Sequence, residues 1–240
     1  MLRHRARPRL DREDRQGWVQ RCREFLIDLD SQLEYWNTEG PQKAFAHPLN
    51  IRRMTHWLSL DSVIIDFGCG YGRSLGELAE QGYDNLIGLD FSPAMIEAAR
   101  ERFPEITFEP IVSVKIPLPD ESVDGALLFS VLTCVPTDEG QRAIVKELHR
   151  VLRRGGLLYI SDLWLQDDER NRTRYQRDES KYGMYGVFDL PEGVTVRHHD
   201  PKWIETLTSE FYNVALDDVD VVTMNGNPAK AFQWFGLKPA

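Results

Sequence analysis

Val63-Ile64-Ile65-Asp66-Phe67-Gly68-Cys69-Gly70-Tyr71-Gly72 is the stretch whose reading decides the fold of this chain. An apolar run ends on a carboxylate and breaks into three glycines separated by single residues. Such a run suits a strand buried on both faces. Glycines at this spacing let the backbone turn tightly and approach a ligand, because no Cβ intervenes. The next segment, Arg73 to Gln81, predicts a helix with Leu75, Leu78 and Ala79 on one side and Gly82 placed to end it. Strand, glycine loop and helix together form the entry to a nucleotide-like cofactor site.

Outward from this stretch, α and β signals alternate. Asn85 to Asp90 predicts a strand, and Pro93 to Phe103 a helix capped by Ser92. Ile106 to Val112 and Gly125 to Val131 predict two more strands. Thr137 to Leu152 is helical in period, with Gly155-Gly156 read as closing it, and Leu157 to Asp162 predicts a fifth strand. This alternation implies a Rossmann-like α/β fold, doubly wound around a mainly parallel sheet. Residues 166–200 interrupt it with a charged stretch and then Tyr175, Tyr182, Gly183, Tyr185, Gly186 and Phe188, read as a lid insertion. Pro201 to Phe211 predicts a helix. Val214 to Met224 and Ala229 to Leu237 flank Asn225-Gly226-Asn227-Pro228, the signal of an antiparallel C-terminal hairpin.

Upstream, Trp18, Val19, Cys22, Phe25, Leu26, Leu29 and Leu33 recur at helical spacing, predicting an amphipathic helix over about Arg12 to Trp36. A second short helix is read over Pro48 to Leu58. The organisation is therefore a basic, flexible tail over residues 1–10, a helical cap over 11–60 and a main domain over 61–240. The net charge of −9 argues against broad nucleic-acid binding, which needs a basic face; the arginines of the first nine residues cut the other way as a candidate docking arm. The three cysteines are far apart and in no metal-ligand spacing, so no metal site is expected. With no apolar run long enough to span a bilayer and no signal peptide, a cytoplasmic protein is the simplest expectation.

Two cofactors compete for the glycine loop. A dinucleotide fingerprint is Gly-x-Gly-x-x-Gly, but here the third glycine, Gly72, falls one position early, and Asp66 would repel a diphosphate. S-adenosyl-L-methionine has no phosphate and carries a sulfonium, an ammonium and a ribose diol. Asp66 can satisfy the ammonium end, and Asp90, closing the second strand, can accept from both ribose hydroxyls.

The chain resembles the class I S-adenosylmethionine-dependent methyltransferases over roughly Ser62 to Asp162. The resemblance is carried by Asp66 to Gly72, by Gly88-Leu89-Asp90-Phe91-Ser92, by Ile116-Pro117-Leu118-Pro119-Asp120-Glu121-Ser122-Val123-Asp124, and by Leu148-His149-Arg150-Val151-Leu152-Arg153-Arg154-Gly155-Gly156. It implies a seven-stranded sheet finishing in the hairpin. It also implies that Gly68, Cys69 and Gly70 pass under the methionine part, that Asp90 holds the ribose, and that Phe91 and Met95 flank the adenine. Phe129, Ser130, Thr133 and Cys134 would lie near the sulfonium. Many relatives place an acidic residue where this chain has Val112, so a backbone carbonyl or the Ser113 hydroxyl is expected to serve the adenine instead.

The acceptor is a small molecule in this reading, transferred to by in-line displacement. His199, or His198, is the candidate to orient or deprotonate it; the same pair also suits a solvated or helix-capping role. Trp36, with Tyr35 and His47, is expected to close over the methionine end, and Tyr182, Tyr185 and Phe188 over the acceptor, unless these rings serve only to pack the cap onto the sheet. A methyltransferase acting on RNA or protein, a nicotinamide-dependent oxidoreductase and a non-catalytic cofactor-binding subunit remain as alternatives. The acceptor atom and the oligomeric state are not encoded in any motif.

Overall fold

The computed structural model describes residues 30–240. The basic tail, and the expected amphipathic helix up to residue 29, lie outside the described residues. The remaining turns of that helix form α1 (Asp30–Thr38), stopped by a 3₁₀ turn at Gly40–Gln42, and α2 is a single turn (Ile51–Met54). The alternating core follows as β1 (Ile64–Phe67), α3 (Arg73–Glu80), β2 (Leu86–Asp90), α4 (Pro93–Arg102), β3 (Thr107–Pro110), β4 (Val123–Phe129), α5 (Asp138–Val151) and β5 (Leu152–Leu163). Then come α6 (Glu169–Tyr182), β6 (Val187–Asp189), β7 (Thr195–Arg197), α7 (Pro201–Leu207), β8 (Tyr212–Val222) and β9 (Pro228–Leu237).

Seven strands form one sheet in the order β3-β2-β1-β4-β5-β9-β8. The first five are parallel; β9 runs antiparallel to both β5 and β8. Because the chain crosses from β3 over to β4, the strand order reverses between β1 and β4, which is where an open α/β sheet leaves a crevice at its carboxyl edge. The apolar runs are explained by burial on both faces. Ile65, Phe67, Ala126, Leu128, Leu158 and Ile160 pack against one helical layer; Ile64, Leu127, Phe129, Leu157 and Tyr159 pack against the other.

Two motifs read as part of the family signature are a structural knot. Arg150 on α5 donates to the Leu118 and Ile116 carbonyls, to Asp120 and to Glu147, while Glu147 accepts the Ile116 amide at 2.7 Å. This ties the Ile116–Asp124 segment to the end of α5 and so fixes where β4 begins.

The structure corrects the sequence reading in two places. Gly155-Gly156 does not close the preceding helix. α5 ends at Val151, and the chain turns directly into β5, whose first residues bulge: Leu152 pairs with Val123, and pairing resumes only at Leu157 with Gly125. Gly155, at φ +72°, serves that bulge. Residues 166–200 are not a loop. Asp168 caps α6 by accepting the Asn171 amide at 3.1 Å, and left-handed Gly183 ends it. The β6–β7 hairpin follows, and Tyr35, Tyr175, Phe188, Val194 and Val196 form a third apolar cluster joining α1, α6 and the hairpin into a roof over the carboxyl edge of the sheet.

Candidate active site

The loop after β1 is shaped by three left-handed glycines: Gly68 at φ +74°, Gly70 at +54° and Gly72 at +81°. A Cβ on Gly68 would collide with Val131, and one on Gly72 would sit 2.7 Å from Phe108 Cζ. At Gly70 the nearest protein atom to such a Cβ is Phe45 Cε2, 3.9 Å away. Gly68 and Gly72 are therefore required by the fold, whereas the space above Gly70 is open for a ligand.

Asp90 clamps this loop. Its carboxylate accepts the Gly70 amide and the Ser92 amide, each at 2.8 Å. Burial raises the Asp90 pKa, and these backbone donors oppose the rise. Asp66 is the opposite case. It is 2% exposed, and its Oδ1 is buried without a hydrogen-bond partner among the described residues. Burial pushes its pKa up to about 8, despite the pull of the nearby Arg73 guanidinium. A buried, unpartnered carboxylate oxygen is costly unless something completes it. Arg73 Nε is likewise buried without a partner, while its Nη2 donates to the His47 carbonyl at 2.7 Å.

Asp66, Gly68, Cys69, Gly70, Asp90, Phe91, Met95 and Phe129 all line one cavity at the β1–β4 crevice, together with Trp36 and Phe45 from the cap. Eight of the nine residues expected to hold the cofactor are thus brought together. Ser113 is the exception: it is buried, its hydroxyl accepts the Lys115 amide at 3.2 Å, and it does not line the cavity. Its segment turns back on itself, which no spacing in the sequence signals.

A second cavity of about 320 Å³ lies beside the first, under the roof. Trp36, Phe45, His47, Ser130 and Cys134 line both. Ser130 follows β4 directly and is held at φ +56°, a left-handed conformation that non-glycine residues rarely adopt; such strain clusters at functional sites. Thr133 lines only the second cavity. Burial raises the thiol pKa of Cys69 and of Cys134, so both stay protonated. His47 is held neutral, its pKa lowered to about 4 by burial, with Nδ1 2.9 Å from Ser161 Oγ.

Of the six expected wall residues, Trp36, His47 and Phe188 line the second cavity, and Tyr35, Tyr182 and Tyr185 line neither cavity. Tyr182 turns to Asp189 and Thr195 at the base of the hairpin, and Tyr185 is 41% exposed with its ring edge-on to Tyr175. Neither reaches a cavity wall. His199 is corrected as well. It is 1% exposed, its Nδ1 donates to the Leu163 carbonyl, its Nε2 faces the Gln141 amide nitrogen at 2.9 Å, and it lines neither cavity. Both ring nitrogens are used up in the core. His198 does line the second cavity, with Nδ1 2.5 Å from Tyr175 Oη. The sequence reading missed Arg73, Arg170, Asn171 and Arg174. The last three come to the second cavity on α6, whose only local signal was Asp168 three residues before Asn171.

A methyltransferase-domain family model matches residues 65–160, the stretch that carries β1 to β5 and the glycine loop. A solved S-adenosylmethionine-dependent methyltransferase from Methanosarcina mazei superposes with a TM-score of 0.75 at 26% identity, covering 80% of this chain and 98% of that one. The matched residues form a class I S-adenosylmethionine-dependent methyltransferase domain. Its cofactor is S-adenosyl-L-methionine, and the lone Asp66 carboxylate, the open face of Gly70 and the Asp90 clamp fit that group's ammonium, its close backbone approach and its diol. Two relatives of this chain are named for dissimilar substrates. A 2-methyl-6-phytyl-1,4-hydroquinone methyltransferase of Synechocystis is 32% identical over 128 residues, 50% of this chain and 39% of that one. A tRNA (carboxymethyluridine(34)-5-O)-methyltransferase of Xenopus tropicalis is 32% identical over 159 residues, 65% of this chain and 24% of that one. The match spans 24% to 66% of the length of the first curated relatives. Among the described residues no helix is long and apolar enough to cross a membrane, and no cluster of side chains could hold a metal ion.

Proposed function

We propose that this protein transfers a methyl group from S-adenosylmethionine to a small, partly apolar molecule held in the second cavity. The observation that carries the proposal is the wall common to both cavities, at Trp36, Phe45, His47, Ser130 and Cys134. One side faces the cofactor residues; the other opens into an aromatic-lined chamber of small-ligand size under a roof. When bound, the cofactor supplies an electrophilic methyl group on a sulfonium.

The chain's own residues hold, orient and exclude water, which is most of what an in-line displacement requires. In this reading Asp66 takes the ammonium, Arg73 Nε offers a donor to the methionine carboxylate, Asp90 takes the ribose diol, and Phe91 and Met95 flank the adenine. Phe129, Ser130 and Cys134 form the wall at the reacting methyl. His198 is not a base here. Tyr175 Oη already accepts the Gln166 amide at 3.1 Å and, being buried, donates its hydroxyl hydrogen bond to His198 Nδ1. His198 therefore carries its proton on Nε2, and burial lowers its pKa to about 3, which keeps it neutral. It donates; it has no free lone pair to offer an acceptor.

The test is label transfer from methyl-tritiated S-adenosylmethionine into a cell extract resolved into small molecules, RNA and protein. Label in the small-molecule fraction is the expected result. Label confined to RNA or protein overturns the choice of acceptor, and no label in any fraction with intact cofactor binding overturns the activity.

A further inference from the structure

The second cavity is apolar over most of its lining, yet one wall carries two guanidinium groups with little ion pairing among the described residues. Arg170 and Arg174 stand one helical turn apart on α6 and both line the cavity. Arg170 has only a distant contact with Asp168, at 3.9 Å. Arg174 is half-buried and lies over the Phe188 ring, 4.8 Å from its centroid, in a cation–π contact. It makes no ion pair among the described residues. Phe188 is also the neighbour of His198, with ring centroids 5.1 Å apart, so the guanidinium and the imidazole flank the same aromatic floor. The Nε2–H of His198 is the donor left over from the Tyr175 bond. Asn171, 1% exposed on the same helix, has a buried Oδ1 without a partner among the described residues and also lines the cavity. Among the described residues the one acidic side chain of the lining, Glu192, is exposed and already accepts from Asn225 Nδ2 at 2.5 Å.

We infer that the acceptor is an organic acid: an apolar body on the Phe188 floor, with a carboxylate or similar anionic group received by Arg174 and His198 Nε2–H. The inference rests on the second cavity being the acceptor chamber. An unpaired guanidinium beside an apolar pocket is a poor way to stabilise a fold, because its desolvation is not repaid. It is a good way to select an anion, since the guanidinium fork matches a carboxylate and charge-assisted bonds are the stronger ones. Asn171 Oδ1 offers the same ligand an acceptor for a hydroxyl or amine proton.

The experiment compares two fluorescent probes with nearly the same apolar body, the anionic 8-anilinonaphthalene-1-sulfonate and the neutral N-phenyl-1-naphthylamine. They are titrated into the full chain with and without S-adenosylhomocysteine. Arg174→Gln is expected to weaken the sulfonate about tenfold or more while leaving the neutral probe within about twofold, and Arg174→Lys to restore part of the loss. An unchanged sulfonate affinity in Arg174→Gln overturns the inference, as does an equal loss of both probes, which would mean a damaged cavity. Displacement of the sulfonate by bulk tRNA, lost in Arg174→Gln, overturns it in favour of nucleic-acid phosphate. Calorimetry with S-adenosylhomocysteine on the same samples tests the cofactor site separately. Failure there strikes the methyltransferase reading and leaves the comparison of probes standing.

Discussion

If Asp66 receives the cofactor's ammonium group as proposed, cofactor affinity depends on pH in a direction that can be worked out. With the site empty its pKa is about 8, raised by burial. At pH 7 the carboxyl therefore holds its proton in about nine molecules of ten. An ammonium group needs the carboxylate, so binding must expel that proton, and apparent affinity scales with the ionised fraction. That fraction rises from about one in a hundred at pH 6 to about one in eleven at pH 7, so the dissociation constant of S-adenosylhomocysteine should fall roughly ninefold over that interval. Titration calorimetry in two buffers of different ionisation heat should report close to one proton, about 0.9, released at pH 7. Asp66→Asn should abolish both effects. A charge-assisted bond contributes about 1.5–3 kcal/mol, and deprotonation one unit below the pKa costs about 1.4 kcal/mol. The variant should thus bind at most about fifteenfold more weakly at pH 7, the deficit growing as pH rises. Asp162 is also raised, to about 7, but it does not line the cavity, so the Asn variant separates the two. A dissociation constant flat between pH 6 and 7, with no proton released, refutes the assignment of Asp66 to the ammonium.

Three further outcomes are expected. Gly68→Ala should lower the melting temperature, by about 1–3 kcal/mol of stability, because its Cβ meets Val131; Gly70→Ala should cost only about 1 kcal/mol for the left-handed backbone yet remove S-adenosylhomocysteine binding, and equal binding by both variants would contradict the cradle. Arg150→Met should destabilise the fold by about 2–4 kcal/mol in denaturant titration, since it frees Glu147 and two carbonyls, with cofactor affinity in the surviving native protein unchanged. His199→Phe should lower stability through the broken Gln141 and Leu163 contacts while the turnover per folded molecule stays near wild type; a large loss of turnover at wild-type stability would restore a catalytic role.

The sequence by itself determined the sheet and marked most of the residues that come together in the first cavity. Those signals are local: a strand buried on both faces must be an unbroken apolar run, a backbone that approaches a ligand must be glycine, and the two carboxylates sit at strand ends a fixed few residues from those glycines. Gly68, Gly70, Asp66 and Asp90 therefore announce their places before any folding is known. The second cavity was not legible. The helix α6 buries Asn171, Tyr175 and Asp178, spaced by four and three, but two of the three are polar and the helix is otherwise charged, so no apolar period marks it. The histidine pair shows the same limit. His198 and His199 are chemically equal in the sequence, and consecutive residues of an extended segment point to opposite sides. Only the packing of β5, α5 and α6 around that segment decides that one ring is spent in the core and the other lines a cavity. Tertiary structure alone placed Arg170 and Arg174 beside Phe188, because that meeting depends on a helix and a hairpin folding onto the sheet edge, and no short spacing encodes it.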